Sequence, residues 1–113
     1  YELIDNSIAV ATATGSVGWE AFLRSKPVLM FGYRFYQYAP NVFRIFSETE
    51  CRNAVYSILK NDFKIKKENI LQYLIALDAF SFEGYNAKSK ENLNDLSIEK
   101  NVDNYLKAIK NYI

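Results

Sequence analysis

The sequence predicts an α/β protein, a Rossmann-like parallel sheet with flanking helices and a helical C-terminus. Three observations carry this. Two short apolar runs, residues 8–14 and 27–32, are separated by one helix-length segment, the arrangement of a βαβ unit. A turn of small residues, Thr14-Gly15-Ser16, sits where the first run gives way to that segment. Beyond residue 47 the apolar positions recur at helical spacing. The organisation expected is a βαβ core over 8–46 followed by a helical part over 47–113.

Residues 1–7 read as the end of a helix or loop, and residues 8–14 alternate apolar or β-branched residues with alanine, as a short buried strand does. Gly15 relaxes the backbone and Ser16 is a good N-cap, so a helix is expected over 17–24. It stops at Ser25-Lys26-Pro27 because the residue before proline avoids the helical region. Residues 27–32 form a continuous apolar run, typical of a strand buried on both faces.

Residues 33–40, Tyr-Arg-Phe-Tyr-Gln-Tyr-Ala-Pro, form an aromatic loop without helical or strand period, and 41–46 reads as a short strand. Ser47-Glu48-Thr49-Glu50 is a capping box. Behind it Cys51, Ala54, Val55, Ile58 and Leu59 give an amphipathic helix over 48–60. A further helix is expected over 66–80, with Ile70, Leu74 and Leu77 on one face, broadened by Leu71 and Ile75. Residues 81–96 are polar and read as loop. Ser97 caps a last helix whose face is Val102, Tyr105, Leu106, Ile109 and Ile113, suited to packing on a core.

Composition narrows the function classes. Half of the 113 residues are hydrophobic, so a packed core is within reach of a chain this short. The net charge of +1 gives no electrostatic case for nucleic acid. The absence of histidine removes Ser-His and Cys-His catalysis and every His-ligated metal site from within the chain. One cysteine, Cys51, excludes an internal disulfide and fits a reducing compartment. No metal site and no cofactor are expected. The first residue is Tyr1 and a strand follows almost at once, which reads as the C-terminal piece of a longer protein.

The turn at Thr14-Gly15-Ser16 is the candidate site. A helix start leaves backbone N–H groups without partners and carries partial positive charge. A glycine-containing turn lets an anion approach them. Thr14 and Ser16 add hydroxyls, and Gly18 removes a side chain one turn further on. The spacing is neither a Walker loop nor a dinucleotide fingerprint. Two readings stay open on the residues alone: a phosphate site, or a tight turn with Ser16 as cap and Gly18 packed on the sheet. Glu20 has a similar pair of readings, as a ligand group or as the helical partner of Arg24.

The run Thr14-Gly15-Ser16-Val17-Gly18-Trp19-Glu20-Ala21-Phe22, then Lys26-Pro27-Val28-Leu29-Met30-Phe31-Gly32 and Phe35-Tyr36, resembles the C-terminal domain of bacterial capsule polysaccharide biosynthesis proteins. These are similar to GT-B glycosyltransferases, including transferases of 3-deoxy-manno-octulosonic acid. The resemblance covers about residues 5–46.

It implies a nucleotide-sugar donor, CMP-linked, whose phosphate lies at Thr14, Gly15, Ser16, Val17 and Gly18, with Glu20 on the ribose. It also implies a glycan or glycolipid acceptor, an upstream N-terminal domain, and a location in the cytoplasm or at the inner face of the membrane. The histidine-proline motif of related transferases has no place in a chain without histidine, so no catalytic residue is assigned. The rival expectations are a non-catalytic α/β module docking on capsule-assembly partners, and a sugar-nucleotide epimerase of related fold.

Other residues carry weaker signals. The loop at 33–38 follows a strand end, so it opens onto the same edge as the turn. That makes Arg34 a candidate for phosphate or an acidic sugar, and Tyr36 a candidate for stacking in the cleft. The bland readings are a solvated arginine and rings covering the sheet edge. Glu48 and Glu50 are explained by helix capping. Lys60, Lys64, Lys66 and Lys67 read as a solvated junction, with acidic membrane lipid as the alternative.

Overall fold

A short parallel sheet organises the chain. In the computed structural model, residues 1–60, 65–84 and 96–112 are described. The strands are β1 (Val10–Thr12), β2 (Val28–Met30) and β3 (Val42–Arg44), in spatial order β1-β2-β3 and all parallel. Helix α1 (Glu2–Asp5) precedes them, α2 (Ser16–Leu23) joins β1 to β2, and α3 (Glu48–Lys60), α4 (Lys67–Ala79) and α5 (Ile98–Tyr112) follow. The protein is thus mixed α/β, with five helices among the described residues. The chain forms two units, Tyr1–Ile75 and Ala76–Ile113.

The β1-α2-β2 unit is the one expected, with Val10 opposite Val28 and Thr12 opposite Met30. The strands are shorter than their apolar runs: Ile8 is exposed and lies before β1. Strand alternation sends Val28 and Met30, both fully buried, to the face that α2 covers with Ala21 and Phe22. Ile4, Tyr36, Ala39 and Ile70 complete this core. Trp19 and Tyr73 pack their rings against Phe22 at 5.3 and 5.5 Å between centroids. A buried phenylalanine in such a cluster is worth about 3–5 kcal/mol against alanine.

Helix α2 ends differently from expectation. Lys26 N–H donates to the Ala21 carbonyl and Ser25 N–H to that of Phe22, which is a Schellman motif. Ser25 takes φ 60, where glycine is usual. Arg24 does not pair with Glu20. Its Nη1 reaches both carboxylate oxygens of Asp5 at 2.7 Å, and Lys26 Nζ reaches the carbonyls of Asp5 and Ser7. The first turn of chain is thereby tied to the end of α2.

The link from β2 to β3 contains no helix, although parallel strands are usually joined by one. The aromatic loop replaces it by burying Tyr36 and Ala39 in the core. Asn41, at φ 72, then returns the chain to the sheet, and its carbonyl accepts from Val28 N–H at 2.8 Å.

The capping box forms. Glu50 N–H donates to Ser47 Oγ at 3.2 Å, while Glu50 Oε2 accepts from Phe46 N–H at 2.8 Å and from the Ser47 hydroxyl. On α3 the buried face is narrower than the apolar pattern: Ala54 and Ile58 are buried, Cys51 is half-buried, and Val55 and Leu59 are exposed. On α4, Ile70 is buried, whereas Leu71 and Ile75 face outward instead of broadening its stripe.

In the second unit, Ser97 Oγ caps α5 by accepting from Lys100 N–H. Phe82 packs edge-on to Tyr105 at 5.0 Å. Val102, Leu106 and Ile109 are about half exposed, not packed into a core. Lys64, Ile113 and residues 85–95 of the loop expected over 81–96 lie outside the described residues. Among the described residues, no helix is long and apolar enough to cross a membrane.

Candidate functional site

The turn after β1 is built by side chains that do not belong to it. Gly15, not Ser16, is the N-cap of α2, with φ −76 and ψ 157, and no side chain caps the helix. Ser16 is the first helical residue. The Gly15 N–H donates instead to Thr12 Oγ1 at 2.9 Å, so the last strand residue folds its hydroxyl over the turn. A serine just before a helix is a good N-cap by type, but here Ser16 lies inside the helix, and the Thr12 hydroxyl braces the turn ahead of it without capping a helical N–H.

Two residues of the aromatic loop reach the same turn. Arg34 Nε–H donates to the Thr14 carbonyl at 2.6 Å. The Tyr36 hydroxyl donates to the Gly15 carbonyl at 2.6 Å. Tyr36 is 1% exposed. Burial pushes its phenol above the ordinary value, and the Arg34 guanidinium opposes this. It is therefore a neutral donor at physiological pH.

The loop does open onto this edge, as its place after a strand implies. Arg34 and Tyr36 arrive there differently: Arg34 is exposed, and Tyr36 is a buried strut with its hydroxyl already committed.

The glycines are accounted for by close approach. A Cβ on Gly18 would lie 2.5 Å from Tyr36 Oη and 2.8 Å from Thr12 Cγ2. Gly18 therefore makes room for the tyrosine that holds the turn. A Cβ on Gly32 would lie 2.6 Å from the Ala13 carbonyl oxygen, so Gly32 lets the segments leaving β1 and β2 run side by side.

Together these contacts frame a pocket of about 230 Å³ lined by Thr14, Gly15, Ser16, Trp19, Arg34, Phe35 and Tyr36. Its volume falls below the roughly 300–1,000 Å³ of typical small-molecule sites. It suits an anionic head group rather than a whole nucleotide. Thr14, Gly15, Ser16, Arg34 and Tyr36 are brought together there. Val17, Gly18 and Glu20 are not among its lining residues. Glu20 is half-buried on α2. Trp19, Phe35, Thr12 and Gly32 are the structural contributors that reading by motif passes over. The signal for Trp19 was its place in the run beginning at Thr14, one helical turn from the pocket mouth.

Electrostatically the pocket is positive: the Arg34 guanidinium and the uncapped start of α2 both favour an anion. Among the described residues, no group of three or more His, Cys, Asp or Glu is placed to hold a metal ion. Compared with known proteins, the chain matches no family model, no curated protein and no solved structure.

Proposed function

We propose that this chain holds the phosphate of a nucleotide-linked sugar at the turn after β1, and is the donor-binding part of a glycosyltransferase. The observation that carries the reading is the position of Arg34. Its Nε–H is bonded to the Thr14 carbonyl, which sets a cation beside a helix start that has no side-chain cap. Such a site stabilises charge that develops on a departing phosphate without needing to reorganise. The Thr14 and Ser16 hydroxyls supply further donors at the rim.

The finer reading, a GT-B C-terminal domain of the capsule-biosynthesis type using a CMP-linked sugar, rests on the resemblance of the run from Thr14 to Tyr36. At the level of fold class the parallel sheet agrees with it. Among the described residues β1 is an edge strand, and the order β1-β2-β3 contains no reversal. In doubly wound sheets the ligand lies where the strand order reverses, outside the carboxyl ends. A reversal at the β1 edge would fall beside Thr14. The glycan or glycolipid acceptor and the group that deprotonates it belong, on this reading, to an upstream domain, and the reaction to the cytoplasm or inner membrane face.

Titration of CMP and UDP, followed by amide shifts and hydrogen exchange over residues 14–20, tests the site. The reading expects a saturable response to at least one nucleotide, centred on Gly15 and Ser16. A flat response to both sinks it. One observation favours a second reading, a non-catalytic α/β module: Gly18 and Tyr36 are both fully used in packing the turn. That reading expects the flat response.

A further inference from the structure

Among the described residues β3 is an edge strand, and its bonds to β2 fix which groups the edge presents. Val28 N–H donates to the Asn41 carbonyl and Ile45 N–H to that of Met30, each at 2.8 Å. Alternate residues of a parallel strand bond to the same neighbour. Asn41, Phe43 and Ile45 therefore turn to β2, and Val42 and Arg44 turn away from it. The Val42 N–H closes on the Ala39 carbonyl at 3.1 Å. The backbone N–H and C=O of Arg44 have no hydrogen-bond partner among the described residues. They are a donor and an acceptor already held in strand geometry.

Helix α3 walls this edge. A groove of about 550 Å³ lies between them, with Arg44 and Phe46 on the strand side and Glu50, Asn53, Ala54 and Ser57 on the helix side. These helical positions fall three or four apart around Ala54 and so share one face. Ala54 is small and buried, which gives the floor depth for a side chain. The side chains of Asn53 and Ser57 make no hydrogen bond among the described residues.

Charge does not choose the occupant here. The Glu50 carboxylate is committed to the cap, and the Arg44 guanidinium lies 4.6 Å over the Tyr38 ring. What remain open are backbone groups at strand spacing, faced by a helix that offers an amide and a hydroxyl. An ion or a compact molecule meets one of these. An extended backbone meets them all: it pairs with Arg44, lays a side chain over Ala54, and turns its far edge to Asn53 and Ser57. Within β3 there is neither proline nor lysine, residues that commonly blunt an edge.

We infer that the groove between β3 and α3 is a docking site for a short extended polypeptide segment, which joins the sheet beside β3 through the backbone of Arg44. The site stands apart from the nucleotide-sugar reading.

The probe is a panel of N-acetylated, C-amidated hexapeptides that alternate threonine with alanine, valine or phenylalanine. Each is titrated into the chain and followed by amide shifts and hydrogen exchange. At least one is expected to move and protect the Arg44 amide saturably and to shift the Asn53 side-chain amide, with the Gly15 amide unmoved. Proline at an outward-facing edge position removes the free N–H and keeps the bonds to β2. Arg44→Pro, read at Asn53, should therefore bind that peptide about tenfold more weakly. Arg44→Ala keeps the N–H and should change affinity by less than about twofold.

N-methylation along the peptide reads the pairing with the protein unaltered, and losses are expected at every second residue, the period of a strand. A panel that leaves the Arg44 amide unmoved overturns the inference. So does equal affinity for Arg44→Pro, or a methylation profile without the two-residue period. An Arg44 amide that moves with protein concentration alone, alongside a dimer in sedimentation, assigns the edge to a second copy and overturns it as well.

Discussion

Two helices begin at the carboxyl edge of the same sheet, and they begin in opposite ways. Helix α3 closes its own start: Ser47 and Glu50 exchange hydrogen bonds, and Glu50 also takes the Phe46 N–H. Helix α2 is left without a side-chain cap. Thr12, Tyr36 and Arg34 brace the turn in front of it from other elements. A start that supplies its own acceptor needs no ligand. A start held open by a tyrosine strut and flanked by a guanidinium is arranged to receive an acceptor from outside. The surroundings differ accordingly: Arg34 lines the pocket at the start of α2, whereas Glu48 and Glu50 occupy the first turn of α3.

The largest effect is expected where the strut meets the helix. Gly18→Ala gains about 0.8–1.0 kcal/mol of helix propensity. It also drives a methyl into Tyr36 Oη and Thr12 Cγ2, an overpacking cost of about 1–3 kcal/mol. Thermal and urea unfolding should show net destabilisation of up to about 2 kcal/mol. The loss should shrink by at least about 0.5 kcal/mol in a Tyr36→Phe background, because the nearest clash is with the hydroxyl. Equal losses in both backgrounds would break the strut account.

The next effect separates the two helix starts directly. Ser47→Ala should cost about 1 kcal/mol, whereas Ser16→Ala should stay within about 0.5 kcal/mol because it makes no cap bond. Acid sharpens the contrast. The Phe46 N–H and the Ser47 hydroxyl hold the Glu50 carboxyl below its ordinary value. A carboxylate depressed in the folded state contributes stability that is complete above its unfolded value and is lost as pH falls through the folded one. The Phe46 amide should therefore titrate with a midpoint below that of an ordinary glutamate, while the Gly15 amide, bonded to a threonine hydroxyl, should not follow.

The smallest effect lies at the other end of α2. Ser25 sits at φ 60 in the Schellman turn, so Ser25→Gly should stabilise by up to about 1 kcal/mol in urea unfolding.

What the sequence made legible were features set by neighbours in sequence. The βαβ core follows from two apolar runs and the helix between them, and α3 runs from Glu48 to Lys60 as its capping box and period require. Helix ends shift by a residue or so, as at Ser16 and Lys67, because several nearby groups compete to cap. What escaped were long-range choices. Arg24 had a helical neighbour in Glu20 but took Asp5, whose two carboxylate oxygens both accept from its Nη1. Tyr36 does line the pocket, but its hydroxyl also fills the space that Gly18 leaves, which no local pattern signals. Leu71, Ile75, Val55 and Leu59 fit a helical stripe, yet the short sheet leaves too little surface to bury all of them.

The central claim is that the open start of α2, with Arg34 beside it, is an anion site. Trp19 emission, titrated with inorganic phosphate, CMP and UDP in the parent chain and in Arg34→Ala and Ser47→Ala, tests it most directly. The account predicts saturable binding of at least one of these ligands. It also predicts about tenfold weaker binding, roughly 1.4 kcal/mol, in Arg34→Ala and no change in Ser47→Ala. No saturable signal, or equal affinity with and without Arg34, would contradict it.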